Sequence, residues 1–325
     1  MHSCINCLAR LKDKIFGKFG VHISFFAYLK LYHRKNFKPY LSRKDINELW
    51  EKLIKGLDKE SIDIADLFIK RIKKYIKRGI FPIFFLTKVE RRQLADVEYF
   101  YKNAVLKHSN NSFSLNNYFL PINNFEDKNF YFKCGMDDIR GEGIKHKSFI
   151  DVGAYIGDST IVFTEYTDKK VYAFEPNIDY YKLLLKTIEL NNFKEKIVPI
   201  PKGLGGKNEE LCIDSMDLIE NSKGKMKNCA VAEITTLDDF VKENNVEVGL
   251  IKTDIEGFEP KFLKGAIETI KTQKPVLLIS IYHNAHDFFE IKPMIESWNL
   301  GYTFKIRKYS SKRFDAEIIL ICSTT

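Results

Sequence analysis

The stretch Ser148-Phe149-Ile150-Asp151-Val152-Gly153-Ala154-Tyr155-Ile156-Gly157-Asp158-Ser159-Thr160 decides the fold. Phe149, Ile150 and Val152 suit a strand covered on both faces. Asp151 stands where that strand ends, and Gly153 and Gly157 permit positive φ or close approach of backbone to a ligand. Asp158, Ser159 and Thr160 are residue types found at helix starts. A strand, a glycine turn and a helix in succession form the unit at whose carboxyl edge open α/β sheets bind ligands.

A pyrophosphate site wants glycine amides and little local acid, whereas acid brackets this loop at Asp151 and Asp158. The spacing of Gly153 and Gly157 also fails to make G-x-G-x-x-G, which disfavours a nicotinamide dehydrogenase. The next apolar run, Lys170-Val171-Tyr172-Ala173-Phe174-Glu175-Pro176-Asn177, ends on an acid suited to gripping ribose hydroxyls. Two strand-end carboxylates in one βαβ unit fit an adenosine ligand that carries a sulfonium amino acid, S-adenosylmethionine. The expected cofactor contacts are Asp151, Gly153, Ala154, Tyr155, Gly157, Asp158, Ser159, Thr160, Glu175, Pro176 and Asn177. Asp151, Gly153 and Gly157 would cradle the amino-acid end, and Glu175 the ribose.

Four blocks, Asp151 to Thr160, Ala173 to Asn177, Thr235-Thr236-Leu237-Asp238, and Ile251-Lys252-Thr253-Asp254-Ile255-Glu256-Gly257-Phe258-Glu259, follow in order. Together they resemble the FkbM family of methyltransferases over roughly residues 148 to 322. The resemblance implies a Rossmann-like class I methyltransferase fold, S-adenosylmethionine as donor, and O-methylation of hydroxyls on sugars or natural products. A surface polysaccharide or its nucleotide-linked precursor is the acceptor it suggests.

The alternation of strand and helix after residue 141 predicts a mostly parallel α/β sheet of seven strands, joined to an N-terminal helical region. The expected units are residues 1–140 as an accessory or acceptor-side region and 141–325 as the methyltransferase domain. Ile46, Leu49, Trp50, Leu53, Ile54 and Leu57 form an amphipathic stripe, and Ser42-x-x-Asp45 and Thr87-x-x-Glu90 read as helix caps. Phe130 to Cys134 reads as a short strand, and the glycine-rich segment 135–143 as either a lid or a linker.

Catalysis is expected at the ends of two later strands. The fourth ends at Asp254, followed by Glu256, and the fifth at Tyr282-His283-Asn284. An alcohol must lose its proton as it takes the methyl group. His283 has the ordinary pKa for a base, while Asp254 or Glu256 could orient it or accept the proton directly. No metal is assigned; a minority version holds Mg²⁺ on Asp254, His283 and Asn284.

The chain has 325 residues, 45% hydrophobic and 14% aromatic, and a formal charge of +9. That composition excludes wholesale disorder and favours anionic partners. RNA methylation or a non-catalytic nucleotide-binding role are the alternatives. Three acids near the fourth strand end weigh against a phosphate backbone there, so nucleic acid is an unlikely partner. Cys4-x-x-Cys7 lacks a second pair for zinc, and the six cysteines suggest a reduced, cytoplasmic protein. Basic flanks around Phe25, Phe26, Tyr28 and Leu29 permit peripheral membrane contact. The oligomeric state is not legible.

Overall fold

The computed structural model describes residues 32–78, 86–139, 142–214, 229–310, 313 and 315–324. The Cys4-x-x-Cys7 pair and the aromatic segment around Phe25 lie outside them.

Seven strands form the central sheet: β1 (Ser148–Val152), β2 (Val171–Phe174), β3 (Ile197–Ile200), β4 (Val248–Thr253), β5 (Val276–Ser280), β6 (Tyr302–Lys308) and β7 (Ile318–Thr324). Their spatial order is β6-β7-β5-β4-β1-β2-β3. The ladders from β5 through β4, β1 and β2 to β3 are parallel, and β7 runs antiparallel to both β5 and β6. β4 and β5 are buried at every position, as expected of largely apolar strands with both faces covered.

The order reverses at β1, because β2 lies on one side of it and β4 on the other. The crevice outside the carboxyl ends of β1, β2 and β4 is therefore the topological switch point, where such sheets take ligands. Beside this sheet, Glu209–Asp214 and Cys229–Thr235 form an antiparallel pair, joined by Gly203–Leu204. Cys212 is disulfide-bonded, against the expectation of reduced thiols.

The N-terminal helices Ile46–Ile54 and Lys59–Arg78 bury Leu49, Leu53, Phe68, Ile69 and Ile72 in one core with Phe288 and Phe289 of helix Ala285–Ser297 and Ile306 of β6. Lys292, fully buried on helix Ala285–Ser297, reaches the Lys55 carbonyl at 2.6 Å and the Lys52 carbonyl at 3.4 Å. It thus satisfies the C-terminal carbonyls of the helix over residues 46–54.

Thr87 and Glu90 make the expected reciprocal cap of helix Lys88–Tyr101. Ser42 does not cap: it ends the turn Lys38–Leu41, and Asp45 is held by Arg43 instead. The expected strand at residues 130–134 is absent. That segment is a one-turn helix, Asp127–Phe130, followed by a 3-10 helix, Lys133–Asp138, with Phe130, Cys134 and Met136 buried. Its aromatic residues pack into the core without a ladder partner, so burial overrides strand propensity.

Candidate active site

Beyond the carboxyl ends of β1, β2 and β4 lies a cavity of about 330 Å³. Gly153 begins the turn after β1 with φ +77°, and a Cβ there would sit 2.5 Å from the Asp254 carbonyl oxygen. Only glycine allows the β1 and β4 ends to meet so closely. Gly157 precedes helix Asp158–Phe163 with φ +86°, and its absent Cβ makes room for Leu184. Gly157 is thus a packing residue and not part of the cradle.

Gly153, Tyr155, Asp158, Ser159, Glu175, Pro176, Asn177, Asp254 and Glu256 line the cavity, as the sequence predicts. Asp151, Ala154, Gly157, Thr160 and His283 do not. Asp151 is the main correction. It is fully buried, accepts from Ser159 Oγ at 2.8 Å and Thr160 Oγ1 at 2.7 Å, and pairs with Lys252 Nζ at 2.9 Å. Its charge is used up inside the protein. Lys252 also donates to the Gly153 carbonyl at 3.0 Å and itself lines the cavity. The turn therefore carries less negative charge than its sequence implies.

Glu175 stands where expected, just past β2. Oε2 accepts from the Tyr155 amide and Oε1 from the Asn177 amide, both at 2.8 Å. Each carboxylate oxygen keeps lone-pair capacity for a ligand hydroxyl. Burial raises this carboxyl to about 7. Burial, reinforced by the nearby Glu126, likewise raises Asp158 to about 7. Tyr155, at φ +52°, meets the Tyr180 ring edge-on with centroids 4.5 Å apart, and Pro176, Ile213 and Ile255 supply apolar wall.

On the opposite side, Asp254 is gripped from three directions. Lys128 Nζ is 2.6 Å from Oδ2, His283 Nε2 is 2.9 Å from Oδ1, and the Tyr282 hydroxyl is 3.3 Å from Oδ1. Lys128 also lies 2.8 Å from Glu317. His283 is 2% exposed and nearly encircled by acid, with Glu256 at 3.5 Å and Glu259 at 3.6 Å. Burial alone would lower the imidazole, but Glu256, Glu259 and Asp254 outweigh it and raise His283 to about 10. The surrounding acids favour the protonated imidazole, the form that does not accept a proton. Asn284 does not face a metal either. It caps helix Ala285–Ser297, accepting from the Asp287 amide at 2.9 Å and donating to Asp287 Oδ2 at 2.6 Å.

Two functional cations escape the sequence reading. Lys252 carried a signal, an ionisable residue inside the otherwise apolar run of β4. Lys128 carried none, since Glu126-Asp127-Lys128-Asn129 reads as a polar turn. Glu126, Lys128 and Asn129 form a wall of the cavity, whereas the described residues of the glycine-rich segment 135–143 are not part of its lining.

Residues 151–306 match the family model described as the methyltransferase FkbM domain. No curated protein matches the chain. The fold resembles that of a methyltransferase FkbM from Methylobacillus flagellatus KT, with 20% identity and a TM-score of 0.55 over 85% of this chain and 58% of that one. The chain thus spans 58% of the length of that protein. It also resembles M. jannaschii TYW2 in complex with AdoMet, at 17% identity and a TM-score of 0.33, over 67% of this chain and 83% of that one. For the M. jannaschii tRNA m1G37 methyltransferase the values are 15% and 0.33, over 68% and 56%. The first likeness concerns the fold, and the other two score too low to add to it. Among the described residues no helix is long and apolar enough to cross a membrane. The match through the glycine turn, Glu175 and Asp254, on a sheet that reverses its order at β1, identifies residues 151–306 as a methyltransferase FkbM domain, with S-adenosylmethionine as methyl donor.

Proposed function

We propose that the protein transfers a methyl group from S-adenosylmethionine to a hydroxyl of a sugar, in a surface polysaccharide or its nucleotide-linked precursor, in the cytoplasm. One observation carries the donor side: Glu175, locked by the Tyr155 and Asn177 amides at 2.8 Å, stands at the wall of the cavity beside the glycine turn. Its remaining lone pairs accept from the two ribose hydroxyls. Pro176, Ile213 and Ile255 offer apolar surface to a purine. Lys252 and Asp151 do not touch the donor through their mutual charges; they fix the turn.

S-adenosylmethionine, when bound, supplies a methyl group on a positively charged sulfur. The protein's task is then to bring an acceptor oxygen into line with it. Asp254, at the cavity wall and fixed by Lys128, His283 and Tyr282, is placed to take the hydroxyl proton as the new O–CH₃ bond forms. His283 acts as a fixed positive charge behind Asp254. The N-terminal region, through Glu126, Lys128 and Asn129, forms the acceptor side.

Calorimetry with S-adenosylhomocysteine and NAD⁺ tests the donor. The former binds, the latter does not, and Glu175→Gln weakens binding about tenfold or more, at least 1.4 kcal/mol. Binding of NAD⁺, or an unchanged affinity in the Glu175 variant, refutes the reading. Transfer of labelled methyl to nucleotide-sugars, with RNA as the competing acceptor, tests the rest.

A further inference from the structure

Asp254 shares two partners with a second acid, Glu317. Lys128 Nζ lies 2.6 Å from Asp254 Oδ2 and 2.8 Å from Glu317 Oε2. The Tyr282 hydroxyl lies 3.3 Å from both Asp254 Oδ1 and Glu317 Oε1. The four side chains close a ring of carboxylate, ammonium, carboxylate and phenol. They come from the one-turn helix Asp127–Phe130, the end of β4, the start of β7 and the end of β5. Asp254 and Lys128 line the donor cavity, whereas Glu317 stands behind them and is not part of the lining.

Charge gives the second acid a task. Asp254 also takes the His283 imidazole, at 2.9 Å. Two cations on one carboxylate hold it as an anion and blunt its pull on a further proton. Glu317 draws the ammonium toward itself and leaves Asp254 freer to accept. It also fixes where that ammonium stands, since a lysine is a point charge on a flexible stem. The backbone bears the cost of this placement. Glu317 sits at φ +59°, a region that favours glycine, asparagine and aspartate. The Tyr309 amide donates to its carbonyl at 3.0 Å, and the β7 ladder starts at the next residue, with Ile318 opposite Lys308. A glutamate kept in a strained conformation beside a catalytic cavity points to a use for its side chain.

We infer that Glu317 is a positioning residue for methyl transfer: through Lys128 and Tyr282 it holds Asp254 in place and shares the lysine's charge with it. In the reaction the acceptor oxygen bonds to the methyl carbon, and the carbon–sulfur bond breaks. The sulfur keeps the electron pair, and the hydroxyl proton passes to Asp254. Glu317 touches none of the reacting atoms and acts only through the ring. The role in transfer rests on the methyl-transfer reading; the ring does not.

The first test needs no acceptor. In the whole chain labelled with ¹⁵N-histidine, the proton between His283 Nε2 and Asp254 Oδ1 gives a far-downfield magnetic-resonance signal, identified by its loss in His283→Gln. Glu317→Gln keeps the shape of the side chain and removes its charge. Lys128 then closes on Asp254, Asp254 accepts less strongly from His283, and the signal moves upfield. Glu189→Gln, in a surface ion pair with Lys186, leaves it in place. Absence of the signal from the unsubstituted chain, or an unmoved signal in Glu317→Gln, overturns the proposal. S-adenosylhomocysteine binds Glu317→Gln as tightly as the unsubstituted chain by calorimetry; a loss would make the residue a mere support of the cavity and overturn it too. In the methyl-transfer assay Glu317→Gln lowers kcat about tenfold or more, while the acceptor KM stays within about threefold. In an Asp254→Asn background the same substitution costs less than about threefold, because the two residues act as a unit. An unchanged kcat, or the full loss in that background, refutes the positioning role. A moved His283 signal without transfer to any sugar defeats only the sugar reading and leaves the ring standing.

Discussion

Replacing Lys252 with Met removes the ammonium that lies 2.9 Å from Asp151 and 3.0 Å from the Gly153 carbonyl. Asp151 is left as a carboxylate with no exposure to water. Loss of one member of a buried pair costs about 3–5 kcal/mol. The Ser159 and Thr160 hydroxyls stay on Asp151, at 2.8 and 2.7 Å, and hold the loss to the lower end, about 3 kcal/mol. With a urea m value of about 3 kcal/mol/M for a chain of this size, the unfolding midpoint falls by about 1 M. Asp151→Asn strands the ammonium against an amide and loses a similar amount. The double variant Asp151→Asn with Lys252→Met removes both charges. It is therefore less damaged than the sum of the singles, by about 2 kcal/mol. Circular dichroism across a urea series reads all three. A shift under about 0.3 M for Lys252→Met, or strict additivity in the double variant, would refute the view that this pair holds the turn.

The pH dependence of stability follows from the buried acids. Burial raises Glu175 from 4.5 and Asp158 from 3.8, each to about 7 in the folded chain. Each contributes stability as the neutral acid, in full below its unfolded value and lost as pH rises through 7. The melting midpoint of the ligand-free protein falls between pH 5 and 8, and Glu175→Gln flattens that fall; a midpoint that climbs over this range contradicts it. Gly153→Ala drives a methyl group to 2.5 Å from the Asp254 carbonyl at φ +77° and lowers stability by more than about 2 kcal/mol, with loss of S-adenosylhomocysteine binding by calorimetry. Lys292→Met uncaps the helix over residues 46–54 and strips Glu296 of its 2.9 Å partner, so amide exchange in residues 46–78 quickens while β4 and β5 stay protected.

The frame was legible because it rests on local rules. β1 ends at Val152, the turn begins at Gly153, and Glu175 stands one residue beyond β2, all within one βαβ unit of sequence. Asp151 was misread because its partner is fixed by strand order. In the parallel ladder of β1 and β4, Asp151 stands opposite Lys252, 101 residues away. Nothing local announces that pairing, so an acid at a strand end looked like a ligand contact. His283 follows a related rule. Its place after β5 was readable, but its proton affinity is set by Glu256, Glu259 and Asp254, which converge on it only in the folded chain. The supposed strand at residues 130–134 shows the limit of aromatic content as a signal, because Phe130 gains more by filling the core than by joining a ladder.

The two sides of the cavity are built differently, and this bears on how the protein selects an acceptor. On the donor side, Glu175, Tyr155, Asn177 and the glycine turn hold one another within residues 148–177. That side belongs to the family domain and is nearly self-sufficient. On the acceptor side, Asp254 depends on Lys128, which lies 126 residues earlier, and Lys128 also needs Glu317 from the start of β7. The Tyr32 hydroxyl donates to the His283 carbonyl at 2.5 Å, and His33 pairs with Asp315 at 2.9 Å. Segments outside residues 151–306 therefore fix the cavity wall at Asp254 and His283. Changes in the N-terminal helices act on that wall and leave the grip on the donor intact.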